Sequence, residues 1–257
     1  MLKFTVLGSG TSTGVPLVGC SCPTCRSQDP RDKRLRSSLL IESPASTIVI
    51  DTSADFRYQM LRHSVQRLDA IVFTHHHFDH IAGFDDIRGY NFMLRKIVPI
   101  YLMQETMDNI ERTFLYAFAS GGQKGGGVPM VEQHIIESEP FCMGDVEFTP
   151  IPLWHGAMRV NGYRIGDFAY CTDTNCIPEE SFALLRGVDV LILDALRPEA
   201  HPTHFNVEQA IAAAQRIGAR QTYFIHMAHN ILHADLESRL PQGIALAYDG
   251  LEIIVGS

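Results

Sequence analysis

Four side chains with metal-binding lone pairs fall within six residues of each other: His75, His77, Asp79 and His80, in Thr74-His75-His76-His77-Phe78-Asp79-His80. The apolar run Ala70-Ile71-Val72-Phe73 precedes them directly. On a continued strand, His75 and His77 project to one face, because side chains alternate with a period of two. A turn after them aims Asp79 and His80 at a neighbouring point. One strand end then offers two ligands to each of two adjacent cations. Imidazole with carboxylate suits zinc, manganese, iron or nickel, whereas calcium and magnesium prefer oxygen-only surroundings. A solvated His-rich turn has the same composition, but the position behind a buried strand favours the metal. His76 would face away from its neighbours, towards a core hydrogen bond.

His75-x-His77-x-Asp79-His80 resembles the signature of the metallo-β-lactamase superfamily of dinuclear hydrolases. That resemblance implies three further ligands, each at a strand end. Trp154-His155-Gly156 follows Val146–Leu153, Thr172-Asp173-Thr174 follows Asp167–Cys171, and His226 follows Gln221–Ile225. The implied centre has one ion at His75, His77 and His155, the other at Asp79, His80 and His226, and Asp173 bridging. Asp51 matches an acidic position that supports a ligand from behind rather than binding metal.

Gly19-Cys20-Ser21-Cys22-Pro23-Thr24-Cys25 places three thiols within six residues, enough to wrap one tetrahedral ion, and zinc is the usual occupant. A fourth ligand is needed. His229 is the candidate, three residues beyond His226 on the same loop. The competing reading is a loop with free cysteines. Cys20, Cys22, Cys25 and His229 together with the dinuclear motif are similar to the PhnP-like subgroup, the cyclic phosphodiesterases of phosphonate breakdown. The Gly8–Gly14 turn and Pro150–His155 also resemble that family.

The resemblance implies a phosphodiesterase with two catalytic divalent ions and one structural zinc. Two dications against two carboxylates and a hydroxide leave the site about one unit positive, which suits a phosphodiester monoanion. The expected substrate is small and anionic, a ribose cyclic phosphate or a 2′,3′-cyclic nucleotide. His204, in His201-Pro202-Thr203-His204-Phe205-Asn206, then faces the pocket without binding metal and acts as general acid on the departing oxygen. The competing reading makes it a surface histidine that caps the helix from Val207, and His201 is the weaker competitor for the role. Three other functions share such a centre: a tRNA 3′-processing endoribonuclease, an acyl hydrolase of lactonase or thioesterase type, and a non-catalytic PqqB-like cofactor-biosynthesis protein. The complete ligand set speaks against the last. The stretch from Asp173 to His226 has no basic Gly-rich arm for gripping tRNA, because a helix, a strand and a second helix fill it.

The 257 residues fit one domain, 1–257, with the Cys-rich insertion at about 19–26. Forty-six per cent hydrophobic residues is ample for a core, and the formal net charge of −8 opposes extended nucleic acid as a partner. No apolar run approaches the roughly 20 residues of a membrane helix. The N-terminal Met1–Gly8 reads as a strand rather than a secretory signal, so a cytoplasmic location is expected. With that location, the six cysteines favour reduced thiols or metal ligation over disulfides. A homodimer is compatible with the sequence.

The elements that must position these residues are legible as periodicities. Phe4–Gly8 reads as a strand that runs into a tight turn through Gly14, lacking the spacing of a dinucleotide or Walker loop. Ser38–Ile41 and Thr47–Asp51 read as strands, as do Pro99–Met103, Val188–Leu193 and Leu251–Val255. Helices are expected over Ala54–His63 (apolar face Phe56, Met60, Leu61), Glu105–Phe118, Glu179–Arg186 and Val207–Ile217, with a helical or loop segment over Gly83–Arg95. Gly121–Gly127 reads as a loop. Two successions of strands, each followed by helices, fit an α/β fold, a four-layer αββα sandwich.

Overall fold

Strands β2 (Ser38–Glu42) and β3 (Thr47–Ile50) carry apolar runs rather than alternating ones because both of their faces are covered. Leu39, Ile41, Ile48 and Ile50 point into a core between two sheets. Leu40 and Val49 point the other way, under helices. The computed structural model describes residues 1–119 and 127–256. Most of the Gly121–Gly127 loop therefore lies outside the described residues.

The first sheet runs in the order β14–β1–β2–β3–β4–β5–β6, with β1 Leu2–Gly8, β4 Ala70–Val72, β5 Val98–Leu102, β6 Val131–Ile135 and β14 Glu252–Val255. The second runs β13–β12–β11–β10–β9–β8–β7, with β7 Phe141–Met143, β8 Val146–His155, β9 Met158–Ile165, β10 Phe168–Cys171, β11 Val190–Asp194, β12 Gln221–Ile225 and β13 Ile244–Leu246. Each sheet joins an antiparallel half to a parallel half. The two halves of the chain thus repeat one plan that their side chains do not reveal.

Between the sheets Phe4 stacks on Phe168 with ring centroids 3.7 Å apart. Outside the first sheet lie α2 (Phe56–Arg62), α4 (Ile87–Leu94) and α5 (Gln104–Thr113), over Phe56, Phe84 and Ile110. Outside the second lie α7 (Glu179–Leu184) and α8 (Val207–Ile217), over Leu191, Leu193 and Ala210. This is the four-layer αββα sandwich. Four shorter helices are α1 (Pro23–Arg26), α3 (Phe78–Ile81), α6 (Leu115–Phe118) and α9 (His233–Glu237), of which α6 packs its Phe118 on Phe84 in the first outer layer. No described helix is long and apolar enough to cross a membrane.

Three local expectations need correction. Leu61 is 60% exposed instead of joining the Phe56–Met60 face, since it lies about 140° round the helix from Phe56. The expected helix over Glu105–Phe118 breaks at Phe114 (φ −110°, ψ 41°), whose ring is buried against Phe84. The strand before the histidines stops at Val72, so His75 and His77 stand in a loop, and His77 occupies the N-cap position of α3 without a capping side-chain bond. Pairing ends there because the Thr74 amide turns to the Asp51 carboxylate instead of a neighbouring strand.

Candidate metal centre

Asp51 is the anchor of the site. Fully buried after β3, it accepts the Thr74 amide at 2.8 Å and the Thr74 hydroxyl at 2.8 Å. With the hydroxyl proton committed, Thr74 Oγ1 accepts from His75 Nδ1 at 2.9 Å. His80 Nδ1 donates to Asp51 Oδ2 at 2.7 Å. His155 Nδ1 donates to the Thr203 carbonyl at 2.7 Å. These bonds fix the tautomers of three imidazoles and present each Nε2 outward, as metal-binding histidines require. Asp51 therefore takes the supporting role expected of it.

The presented atoms converge. His75, His77, His155 and Asp173 form one group and Asp79, His80, Asp173 and His226 another, with the ligand atoms of each within 4.8 Å of one another. Asp173 belongs to both. His80 Nε2 stands 3.3 Å from Asp79 and 3.3 Å from Asp173. His226 Nε2 stands 3.5 Å from Asp79 and 3.2 Å from Asp173. Yet Nε2 of His75, His80 and His226 is buried with no well-aligned hydrogen-bond partner among the described residues. Orphaned buried nitrogens are costly, and a shared divalent ion satisfies several at once, so the donor set fits metal.

The electrostatics of His75, His77 and Asp173 agree with that fit. Burial of His80 is instead outweighed by the charges of Asp173, Asp79 and Asp51, which hold its pKa well above the ordinary value and mark a carboxylate-rich pocket that favours a cation. Burial holds the His75 imidazole well below its ordinary pKa, neutral and free to coordinate. His77 is more exposed, yet partial desolvation of its ring and the neighbouring His155 take it down to about 4. Burial works against charge on Asp173, but His226 and His80 outweigh it and keep the carboxylate ionised. Three non-glycine residues here have positive φ: Asp51 at 64°, Asp173 at 53° and His226 at 62°. Such backbone costs of order 1–3 kcal/mol each and persists where the surroundings over-determine it.

His204 is neither a surface residue nor the cap of α8. Asn206 caps that helix in a reciprocal pair with Gln209, whereas His204 is 7% exposed. Its ring stacks on His226 at 4.7 Å and meets His155 edge-on at 4.4 Å. Its Nδ1 reaches Asp194 Oδ1 at 3.2 Å, and the other oxygen of Asp194 accepts the Phe205 amide at 3.0 Å. Burial lowers the His204 pKa, but the Asp194 charge and hydrogen bond more than offset it, raising it to about 9. Asp194 was not singled out in the sequence; a carboxylate ending the all-buried strand β11, as Asp173 follows β10, was the available signal. His201 is half-buried beside His204, with ring centroids 5.1 Å apart. His76 is half-buried with its ring edge-on to His77, not in the core, because the loop freed it from strand alternation.

Cys20, Cys22, Cys25 and His229 form a separate group whose ligand atoms lie within 4.8 Å of one another. His229 Nδ1 is 3.4 Å from both Cys20 and Cys22 Sγ. The sulfurs accept backbone amides, Cys25 Sγ from Leu17 and Cys22 Sγ from Cys25. The His229 contact brings the Cys22 thiol down to about 6. All six cysteines are free thiols. The loop that carries His226 and His229 is clamped from the N-terminal side: the buried Arg34 guanidinium donates to the carbonyls of Ala228 (3.1 Å) and Ile231 (2.9 Å) and to Asp32 (3.0 Å). The Gly8–Gly14 turn joins the clamp, as Ser9 and Thr11 exchange backbone bonds with Met227.

The fold recurs in known proteins. A crystal structure of a new diphosphatase from the PhnP family superposes with a TM-score of 0.93 at 40% identity, covering 100% of this chain and 98% of that one. The Zn²⁺-bound PqqB of Methylobacterium extorquens shares the fold, with a TM-score of 0.77 at 18% identity over 98% of this chain and 100% of that one. A Porphyromonas gingivalis protein named octanoyltransferase is 38% identical over 99% of this chain but only 52% of its own length, so the chain spans about half of that relative. A β-lactamase superfamily domain model matches residues 46–227. With histidines and aspartates gathered at the ends of two facing sheets, the chain belongs to the metallo-β-lactamase superfamily and is PhnP-like.

Proposed function

We propose that this hydrolase cleaves small phosphodiesters, among them ribose cyclic phosphates and 2′,3′-cyclic nucleotides, using two divalent ions, zinc or manganese. A third ion, zinc, is held for structure by the three cysteines and His229. The observation that carries the reading is His204, hydrogen-bonded to Asp194 and stacked against His226 and His155; it stands outside the two groups that share Asp173, and its own grouping is with Asp194 and His226.

When bound, the paired ions supply Lewis acidity and a nucleophile at neutral pH. The chain's own residues supply the rest. Asp173 belongs to both ligand groups and sets their separation; Asp51 holds His80, and through Thr74 also His75, in orientation. His204 donates its Nε2 proton to the departing alkoxide, and Asp194 stabilises the imidazolium until then. The diphosphatase relative supports hydrolysis at phosphorus as the broader class of chemistry.

The octanoyltransferase name of the half-matched relative favours a second reading, hydrolysis of an octanoyl ester or thioester. The buried proton donor argues against the thioester, because a thiolate leaves without one. Turnover of 2′,3′-cyclic AMP, bis(p-nitrophenyl) phosphate, an octanoyl thioester and a β-lactam by one preparation decides the matter. The phosphodiesters should react and the other two should not. Preference for the thioester would replace the proposal with the acyl-hydrolase reading.

A further inference from the structure

Tyr163 and Tyr170 lie directly opposite each other in β9 and β10, and both are fully buried in the core between the sheets. Their neighbours Gly162 and Cys171 alternate to the outer face, where a Cβ on Gly162 would stand 3.1 Å from Cys171 Sγ and 3.0 Å from Leu153 Cδ1. The two phenols end differently. Tyr163 donates to the Phe73 carbonyl at 2.7 Å, just ahead of the His75–His77 loop. The Tyr170 hydroxyl is as deeply buried but has no well-aligned hydrogen-bond partner among the described residues. A buried hydroxyl left in that state costs stability, and phenylalanine would fill the same space without the cost.

The Tyr170 oxygen sits behind the metal centre. Burial holds the phenol well above its ordinary pKa, with the charge of Asp51 adding to the effect, His80 opposing it and Asp173 adding again. The hydroxyl therefore keeps its proton in a space shared with the carboxylate that supports the ligands and the one that belongs to both ligand groups. The Thr172 hydroxyl is within its range. Thr172 commits its own proton to Asp173 Oδ1 at 2.7 Å. A threonine oxygen that has donated still has lone pairs with which to accept.

We propose that Tyr170 is a positioning residue for Asp173: its O–H donates to Thr172 Oγ1, and Thr172 donates to Asp173 Oδ1. Hydrogen bonds in a chain polarise one another, so a donor on Thr172 strengthens the bond that Thr172 gives. Asp173 belongs to both ligand groups, and its orientation bears on both ions at once. Partners standing behind metal ligands typically change metal affinity or activity about 10–100-fold. The inference rests on the two-ion reading of the centre and is independent of the substrate.

Zinc binding tests it apart from turnover. In a competition titration against a chelator, Tyr170→Phe should weaken zinc at the two-ion centre about tenfold. It should keep the zinc of the Cys20, Cys22, Cys25 and His229 group. With the two-ion centre emptied, its melting temperature should not fall below that of the wild type, because only an unbonded hydroxyl is lost. Tyr163→Phe is the control: it loses a bond that is made, so it should melt lower while its zinc affinity holds. Thr172→Val should weaken zinc at least as much as Tyr170→Phe, and adding Tyr170→Phe to it should cost nothing further. Zinc affinity within about twofold of wild type in Tyr170→Phe overturns the inference. Equal losses in the two tyrosine variants, or full additivity with Thr172→Val, overturn it as well. If the wild type takes up zinc only at its cysteines, the two-ion reading falls and the inference with it.

Discussion

His204 Nδ1 lies 3.2 Å from Asp194 Oδ1, with the carboxylate fully buried and the imidazole nearly so. A histidine in that setting holds its proton at neutral pH and can release it only towards the ring's other nitrogen. His204→Ala should leave metal content intact and slow the reaction on the order of 10²–10⁴-fold, the range of a positioned acid. The loss should depend on the leaving group. It should be large on a ribose cyclic phosphate, whose alkoxide needs the proton, and small on bis(p-nitrophenyl) phosphate. Equal losses on both would mean that His204 positions phosphate instead.

Asp194 acts through His204, and a pH profile separates that role from simple packing. A general acid must be protonated, so activity falls as pH rises through its pKa, which Asp194 helps raise to about 9. In Asp194→Asn the alkaline decline should move to lower pH. A profile of unchanged shape at a lower rate would assign Asp194 to structure alone.

The Cys20, Cys22, Cys25 and His229 group should hold one zinc. Zinc in such a site contributes directly to folding. Cys22→Ser should lose one zinc per chain and melt at a lower temperature. Retained zinc in that variant would refute the assignment.

Arg34 and Asp32 are a buried ion pair with 0% and 1% side-chain exposure. Replacing Arg34 by Met leaves Asp32 charged and unpaired and frees the carbonyls of Ala228 and Ile231. The expected loss is about 3–5 kcal/mol of stability, read by urea titration. Because the same loop carries His226 and His229, metal content should fall at both sites. A loss under 1 kcal/mol would mean that Arg34 does not clamp the loop.

His233 is almost wholly buried, and burial, with the charges of Arg31 and Arg34, lowers its pKa to about 4. The unfolded chain takes up a proton near pH 6.5 that the folded chain refuses until about 4. Its contribution is therefore full above about pH 6.5 and is lost as pH falls towards 4. Between pH 7 and 4.5 the wild type should lose more melting temperature than His233→Gln. Parallel declines would show that His233 is not responsible.

Much of the centre was legible because its residues follow strands, and strands announce themselves as apolar runs. His155, Asp173 and His226 each stand at or just beyond a run that both cores require to be apolar, so type and place could be read together. The helix Val207–Ile217 was legible to the residue, since Asn206 and Gly218 mark its ends chemically. The sequence could not say that β4 stops at Val72, because Asp51, distant in the chain, captures the Thr74 amide that would have continued the ladder. Nor could it show that Asp194 belongs with His204. Their pairing depends on the loop after β11 folding back over the strand end, and a carboxylate acquires a partner only when the fold closes water out around both. Residue chemistry and periodicity are local properties carried by the chain itself; which atoms share a buried space is decided by the packing of two sheets, and that exists only in three dimensions.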